Sequence, residues 1–227
     1  MKIFSHRSIL LLFAVFIVFV CSSCFEIIEE VNLNEDGSGS FCFTINMSQS
    51  KLNINSMVLL DSINGHRVPK LEDVKKALEE AEAKLKEDGN ISDVKSTKNW
   101  DDYIFSVSGN FKNITALNKA INNMGIILNK TRGESPVIQD NFSYSNKIFA
   151  RLYNYNHAND YKSLSEKDKL AFTNAKYTTI YRFKTLIGSY SNSDAIKSKS
   201  GKAVMLKLNV KDLLTNNKTI KNTINLN

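Results

Sequence analysis

Apolar residues fall on alternate positions at the start of the folded part of the chain. Phe25, Ile27, Val31 and Leu33 are odd-numbered, with Glu26, Glu30 and Asn32 between them, and the alternation resumes with Phe41, Phe43, Ile45 and Met47. Two period-two stretches flanking Asn34-Glu35-Asp36-Gly37-Ser38-Gly39 predict a β-hairpin, while Ile28 and Glu29 break the pattern and predict an irregular edge. A weak helical stretch is expected from Ser48 to Leu60. From Leu71 to Glu87 the period changes: Leu71, Val74, Leu78, Ala81 and Leu85 recur at three- and four-residue steps among Glu and Lys. That is a surface helix with one buried stripe, with Pro69 near its start and Gly89 past its end.

Strands are expected around Ile91–Thr97 and Tyr103–Phe111, then a helix from Ile114 to Met124, capped by Asn113 and ended by Gly125. Arg132–Asn141, with Gly133 and Pro136, reads as a loop and is the candidate internal boundary. Phe142–Tyr155 reads as extended. Ser163 and Glu166 form a capping box for a short helix to about Phe172. Tyr177–Ile187, Val204–Val210 and Ile220–Leu226 read as strands, with a turn at Ser198–Lys202. Hairpin-length connections interleaved with helices give an α+β class: a mainly antiparallel sheet built from hairpins, with helices packed on one side.

The first residues belong to another category. Lys2 and Arg7 precede an apolar run from Ile9 to Val20 and then Cys21-Ser22-Ser23-Cys24. This is the layout of a secretory signal, residues 1–23, and the run is shorter than the roughly 20 residues a membrane span needs. The remaining residues, 24–227, suit a single envelope domain. Removing Lys2 and Arg7 leaves 28 basic against 23 acidic residues, a mature charge of about +5. Both signs are interspersed, so nucleic acid is not an expected partner. With Cys21 in the signal and Cys24 at the cut, Cys42 stands alone and no disulfide framework is available. Flanked by Phe41 and Phe43, Cys42 reads as a small buried hydrophobe.

Ser22-Ser23-Cys24 resembles the lipobox of bacterial lipoproteins, although Cys21 stands where that motif usually has an aliphatic residue. The resemblance implies a lipid (palmitate-type) attachment at Cys24, a partner membrane reached through the N-terminal lipid, and a cell-envelope, outer-membrane location. The relaxed motif, the acids Glu26, Glu29 and Glu30 behind it, and heavy Asn, Lys and Ile usage resemble uncharacterised Bacteroidetes lipoproteins. Asp61-Ser62-Ile63 resembles the short O-glycosylation motif of that phylum, which implies Ser62 as the modified residue. The hairpins at Asp36–Gly39 and Ser200-Gly201 are remotely similar to the LppM-type lipoprotein domain, which implies an envelope α+β domain and a capacity for lipid.

Chemistry-bearing motifs are sparse. Asn32, Asn34, Asp36 and Gly37 match half of an EF-hand loop, but Phe43 occupies the position that needs a bidentate acid, so a turn is expected. His66 and His157 have no metal-ligand spacing, and there is no nucleotide loop or nucleophile elbow; no cofactor or metal is expected. Glu79, Glu80 and Glu82 lie among lysines and read as a solvated face with ordinary titration. The aromatic second half, including Tyr144, Phe149, Tyr153, Tyr177, Tyr181 and Phe183, reads first as sheet core and second as an apolar groove. The leading functional reading is therefore a non-enzymatic structural or interaction lipoprotein with an envelope protein partner. A module for lipid or another apolar ligand is the alternative, and it would leave a cavity of roughly 300–1,000 Å³ between sheet and helices. A hydrolase built from Asp101, Asp102 and Asp160 is the rival class.

Overall fold

The computed structural model describes residues 25–227 apart from 61, 64, 65, 69, 133–137, 154 and 155, with backbone alone at 62, 63, 66, 67 and 128–132. Cys24, and with it the attachment expected there, lies outside the described residues, as do Asp61, Pro69, Gly133, Pro136 and Tyr155.

The opening hairpin forms as the alternation requires. Strand β1 (Glu26–Leu33) pairs with β2 (Gly39–Asn46) from Glu26↔Asn46 to Leu33↔Gly39. Asp36 Oδ1 closes the turn by accepting from the Ser38 amide at 3.0 Å and the Ser38 hydroxyl at 2.7 Å, while Gly37 takes φ +83°, which a side chain disfavours. The half-matched calcium loop is this turn. Strands β5 (Ile91–Asn99) and β6 (Ile104–Phe111) extend the hairpin antiparallel. On the other side β9 (Lys176–Phe183) pairs parallel with β1, followed by β12 (Ala203–Asn209) and the short β11 (Ile196–Lys197). The sheet order is β11-β12-β9-β1-β2-β6-β5, and the class is α+β. The parallel β1–β9 pair joins segments from both sides of residues 132–141 into one sheet.

One face of this sheet carries Val31, Leu33, Phe41, Phe111, Tyr181, Phe183, Val204 and Leu206, all buried. Two different covers lie on it. Over β1 and β9 sits a second, antiparallel sheet of order β10-β13-β8-β7, made of β7 (Phe142–Ser145), β8 (Ile148–Arg151), β10 (Ile187–Tyr190) and β13 (Asn222–Leu226). Its Phe149 meets Tyr181 and Phe183 edge-on at 5.1 and 5.5 Å between ring centroids. Over β5 and β6 lie α2 (Leu71–Glu87) and α3 (Ile114–Arg132), packed on each other and on those strands. Ahead of α2 come a 3-10 turn (Ser48–Ser50), α1 (Lys51–Met57) and the two-residue strands β3 (Ser62–Ile63) and β4 (His66–Arg67). Short helices α4 (Ala158–Ser163), α5 (Glu166–Leu170) and α6 (Val210–Leu214) complete the chain.

Several expectations need correction. The α3 helix passes through Gly125 to Arg132, because the apolar stripe continues: Ile127 packs on Ala77 and Ala81 of α2. Asn113 does cap it, accepting from the Ala116 amide at 2.9 Å. Phe142–Tyr155 is not one extended segment, since Asn146 and Lys147 turn it into a hairpin with φ +50° and +61°. The cap of α5 is Ser165 rather than Ser163, with Asp168 as its reciprocal partner, because Ser163 Oγ is spent on the Asp160 carbonyl. Cys42 is half-buried on the far face of the sheet rather than in the core, its Sγ 3.8 Å from Thr44 Oγ1. Glu29 breaks no strand: β1 runs regularly, with Glu29 pointing inward.

Candidate functional site

The two covers meet over β1, and along that seam an apolar cavity of about 510 Å³ is left open. Its sheet wall is Ile27, Phe43, Ile45, Phe105 and Val107, all on the inward face. The α2 side chains Leu78 and Ala81, with Ile121, Met124 and Gly125 of α3, form the second wall. Tyr153 and Tyr177, with Val210, Leu213 and Leu214 of α6, close the third. Gly125 sits here with open space around it: a Cβ built on it meets nothing within 4 Å. Ile45 is the most exposed apolar side chain of the lining, at 41%.

A buried polar cluster forms one corner. Glu29 is 3% exposed and Arg151, at the end of β8, 5% exposed. The guanidinium grips the carboxylate with two parallel bonds, Nε to Oε1 at 3.0 Å and Nη2 to Oε2 at 2.9 Å. Tyr177 donates to Oε2 at 2.8 Å and Tyr181 donates to Oε1. The remaining guanidinium nitrogen, Nη1, donates to the Asn141 carbonyl at 3.2 Å, to Asn141 Oδ1 at 3.3 Å and to the Leu152 carbonyl. Phe142 lies under the guanidinium, 5.0 Å from ring centre to Cζ. Burial and then the Glu29 charge push the Tyr177 and Tyr181 hydroxyls well above the usual phenol range, so both stay protonated donors. Burial, the largest single influence, would lower the Arg151 pKa, but Glu29, Tyr177 and Tyr181 together outweigh it and the net shift is upward.

Asn118 of α3 ties this cluster to the helices. Its Oδ1 accepts from the Asn141 and Phe142 amides at 3.0 and 2.9 Å, and its Nδ2 donates to the Phe142 carbonyl at 2.8 Å. A chain of bonds thus runs from α3 through Asn118 and Asn141 to Arg151 and Glu29 on the central strand. All three guanidinium nitrogens donate, and the carboxylate holds four donors. These bonds tie the second sheet and the helices to the central strand and leave the Glu29 carboxylate fully engaged.

Above the opposite wall Glu82 takes three bonds, from Lys86 and Lys98 at 2.7 Å and from Ser96 at 2.6 Å. Those bonds, led by the one from Lys86, hold its carboxyl down at about 2. The solvated-face reading thus fails for Glu82, whose side chain is 17% exposed and sits between α2 and β5. Glu79 and Glu80 are exposed, as expected.

Other singled-out residues are scattered. Asp102 pairs with Lys51 at 3.4 Å, and Asp160 lies 3.3 Å from His157 Nδ1. His157 lines the cavity at its edge, whereas His66 and Ser62 are described by backbone alone, in β4 and β3. Of the aromatics, Phe149, Tyr181 and Phe183 are core, while Tyr153 and Tyr177 reach the cavity. Among the described residues no group of three or more His, Cys, Asp or Glu is placed to hold a metal ion. No helix among them is long and apolar enough to cross a membrane.

Sequence reasoning missed the Glu29–Arg151 cluster, although its signal was present: an acid on the inward, odd-numbered face of an otherwise apolar strand. No protein-family model matches the chain, and no curated protein matches it. Among solved structures, it is similar to the folded domain of the Mycobacterium tuberculosis LppM protein, determined by NMR, at 10% identity and a TM-score of 0.38, over 88% of this chain and 86% of that one.

Proposed function

We propose that this chain is a lipid-anchored cell-envelope protein whose domain binds an apolar ligand, an acyl chain or a molecule of similar girth, in the seam between its two covers. The observation that carries this reading is the cavity of about 510 Å³, walled by hydrocarbon and set between sheet and helices. That volume is within the roughly 300–1,000 Å³ range of small-molecule sites. It moves the ligand-binding alternative ahead of a purely structural or protein-interaction role, because a core serving packing alone is close-packed. The charged side chains of the lining already bond one another, Glu82 with Lys98 and Ser96, and Glu29 with Arg151 and Tyr177. An entering molecule therefore meets mainly apolar surface.

Binding rather than catalysis is the proposed activity. The buried carboxylate is fully engaged, and Asp102 and Asp160 have separate partners. Attachment at Cys24 and an outer-membrane location in a Bacteroidetes-type envelope rest on the Ser22-Ser23-Cys24 motif and the glutamates behind it. Native mass spectrometry of the protein purified from membranes tests the binding reading. Copurified lipid at near one-to-one occupancy is expected, and a clean apo mass after purification without detergent exchange would contradict it. Labelling with a palmitate analogue, lost in Cys24→Ala, tests the anchor.

A further inference from the structure

The strand register defines one end of the large sheet. Glu26 pairs with Asn46, Asn46 with Ile104, and Ile104 with Asn99; on the other side Glu26 pairs with Lys176, and Lys176 with Asn209. Three features therefore lie at this same end: the start of β1, two residues after Cys24; the chain leaving β2 into α1; and the start of α6. Ile45, the exposed apolar side chain of the cavity lining, is one residue from this edge.

The segment that leaves β2 has an unusual surface. Leu52 is 75% exposed and Leu59 84% exposed, and Met57, Val58 and Leu60 are exposed beside them. The other side of the segment is well held. Ser50 is buried, Asn55 Oδ1 accepts from the Tyr103 hydroxyl at 2.6 Å, and the Met47 amide donates to the Tyr103 carbonyl at 3.0 Å. An anchored segment that turns five apolar side chains outward is a contact surface awaiting a partner. Leu170 of α5 is exposed as well, in the helix followed by Phe172, whose ring meets Phe25 at 6.1 Å. Phe25 follows Cys24 directly, so the exposed apolar segment leaves the sheet at the same end as the residue after the anchor.

We infer that this end of the domain seats on the bilayer, with Leu52 and Met57–Leu60 inserted at the headgroup–acyl boundary, so that the cavity loads from the membrane beside Ile45. The inference rests on the proposed anchored, apolar-ligand-binding function and specifies where the ligand comes from. The lipid at Cys24 holds the protein at the membrane, and an inserted apolar ridge fixes which end the domain turns toward it.

The test uses the full-length chain, expressed as the membrane protein and reconstituted in vesicles of phosphatidylethanolamine and phosphatidylglycerol with or without brominated acyl chains. Trp100 is the single tryptophan, so Trp100→Phe leaves a silent background. In that background Leu59→Trp reports on the ridge, and Lys199→Trp reports on the Ser198–Lys202 turn at the far end. At position 59 we expect a blue-shifted emission quenched at least about twofold by brominated lipid, as for a ring at the headgroup–acyl boundary. At position 199 we expect no quenching. No quenching at 59, equal quenching at both, or a blue shift without quenching (the mark of a covering protein) would each overturn the inference. The Leu52→Ser/Leu60→Ser pair, added to the reporter at 59, should reduce the quenching, and unchanged quenching would overturn it too. If Leu59→Trp is quenched but no lipid copurifies with the protein, the seating stands and the binding function falls. The converse result sinks the seating alone.

Discussion

Gly125 offers a substitution whose effects on stability and on binding point in opposite directions. It is an interior residue of a 19-residue helix, where glycine is less favourable than alanine by about 1 kcal/mol. An added Cβ meets nothing within 4 Å, and the residue lines the cavity. Gly125→Ala should therefore stabilise the domain by about 1 kcal/mol, a rise of roughly 2–4 °C in Tm for a domain of this size, with binding unchanged. Gly125→Leu keeps most of that helix gain and adds a side chain in an apolar space. Burying it in that apolar space contributes about 1–2 kcal/mol more. The same side chain takes up part of the space a ligand would fill, so copurified lipid should fall several-fold. Urea unfolding gives the stability change, and native mass spectrometry the occupancy. If Gly125→Leu destabilises by more than about 1 kcal/mol, the space is not there. If it stabilises but leaves the bound lipid untouched, the ligand lies elsewhere, and either result refutes the reasoning.

Glu29→Gln and Arg151→Met should each cost about 3–5 kcal/mol in urea unfolding, because each leaves a buried charge unpaired; Glu29→Leu/Arg151→Met should recover most of that, and additive losses would show that the pair does not act as a unit. Glu82 has a folded pKa near 2 against an ordinary value of 4.5, so its stabilisation is present above about pH 4.5 and is lost as the pH falls toward 2. In Glu82→Gln that part of the acid limb, about 1–3 kcal/mol, should disappear, and an unchanged pH profile of urea unfolding would count against the three-bond geometry. Gly39→Ala would place a Cβ 2.1 Å from the Asn32 carbonyl oxygen and 2.7 Å from the Phe111 ring, so a loss of more than about 2 kcal/mol is expected, and a neutral result would mean that the opening hairpin is wrongly packed.

The elements that sequence pattern exposed are those whose register is set locally. The β1–β2 hairpin follows from two alternating stretches around a turn with its own hydrogen bonds, and α2 from the stripe Leu71, Val74, Leu78, Ala81 and Leu85, of which Ala81 and Leu85 are buried. What was not legible depends on partners distant in the chain. Glu29 looked like a break in β1 because its counter-charge, Arg151, lies 122 residues away. Gly125 looked like a helix stop because glycine is a weak helix former, yet Ile127 packing on α2 carries the helix onward. The Asn146–Lys147 turn carries no glycine, so Phe142–Tyr155 read as one extended segment. The cavity is a property of the seam between a sheet cover and a helical cover, and no periodicity within either element encodes it. Its lining was visible only as an aromatic and aliphatic surplus, from which Tyr153 and Tyr177 face the space while Tyr181 and Phe183 fill the core.

The most direct test of apolar-ligand binding is to crystallise the protein with a fatty acid brominated along its chain and to locate the bromine by anomalous scattering. The account predicts a peak inside the space bounded by Phe43, Val107, Leu78 and Met124, absent in Gly125→Leu. A peak elsewhere on the surface, or a seam closed by repacked side chains with no peak at all, would contradict it.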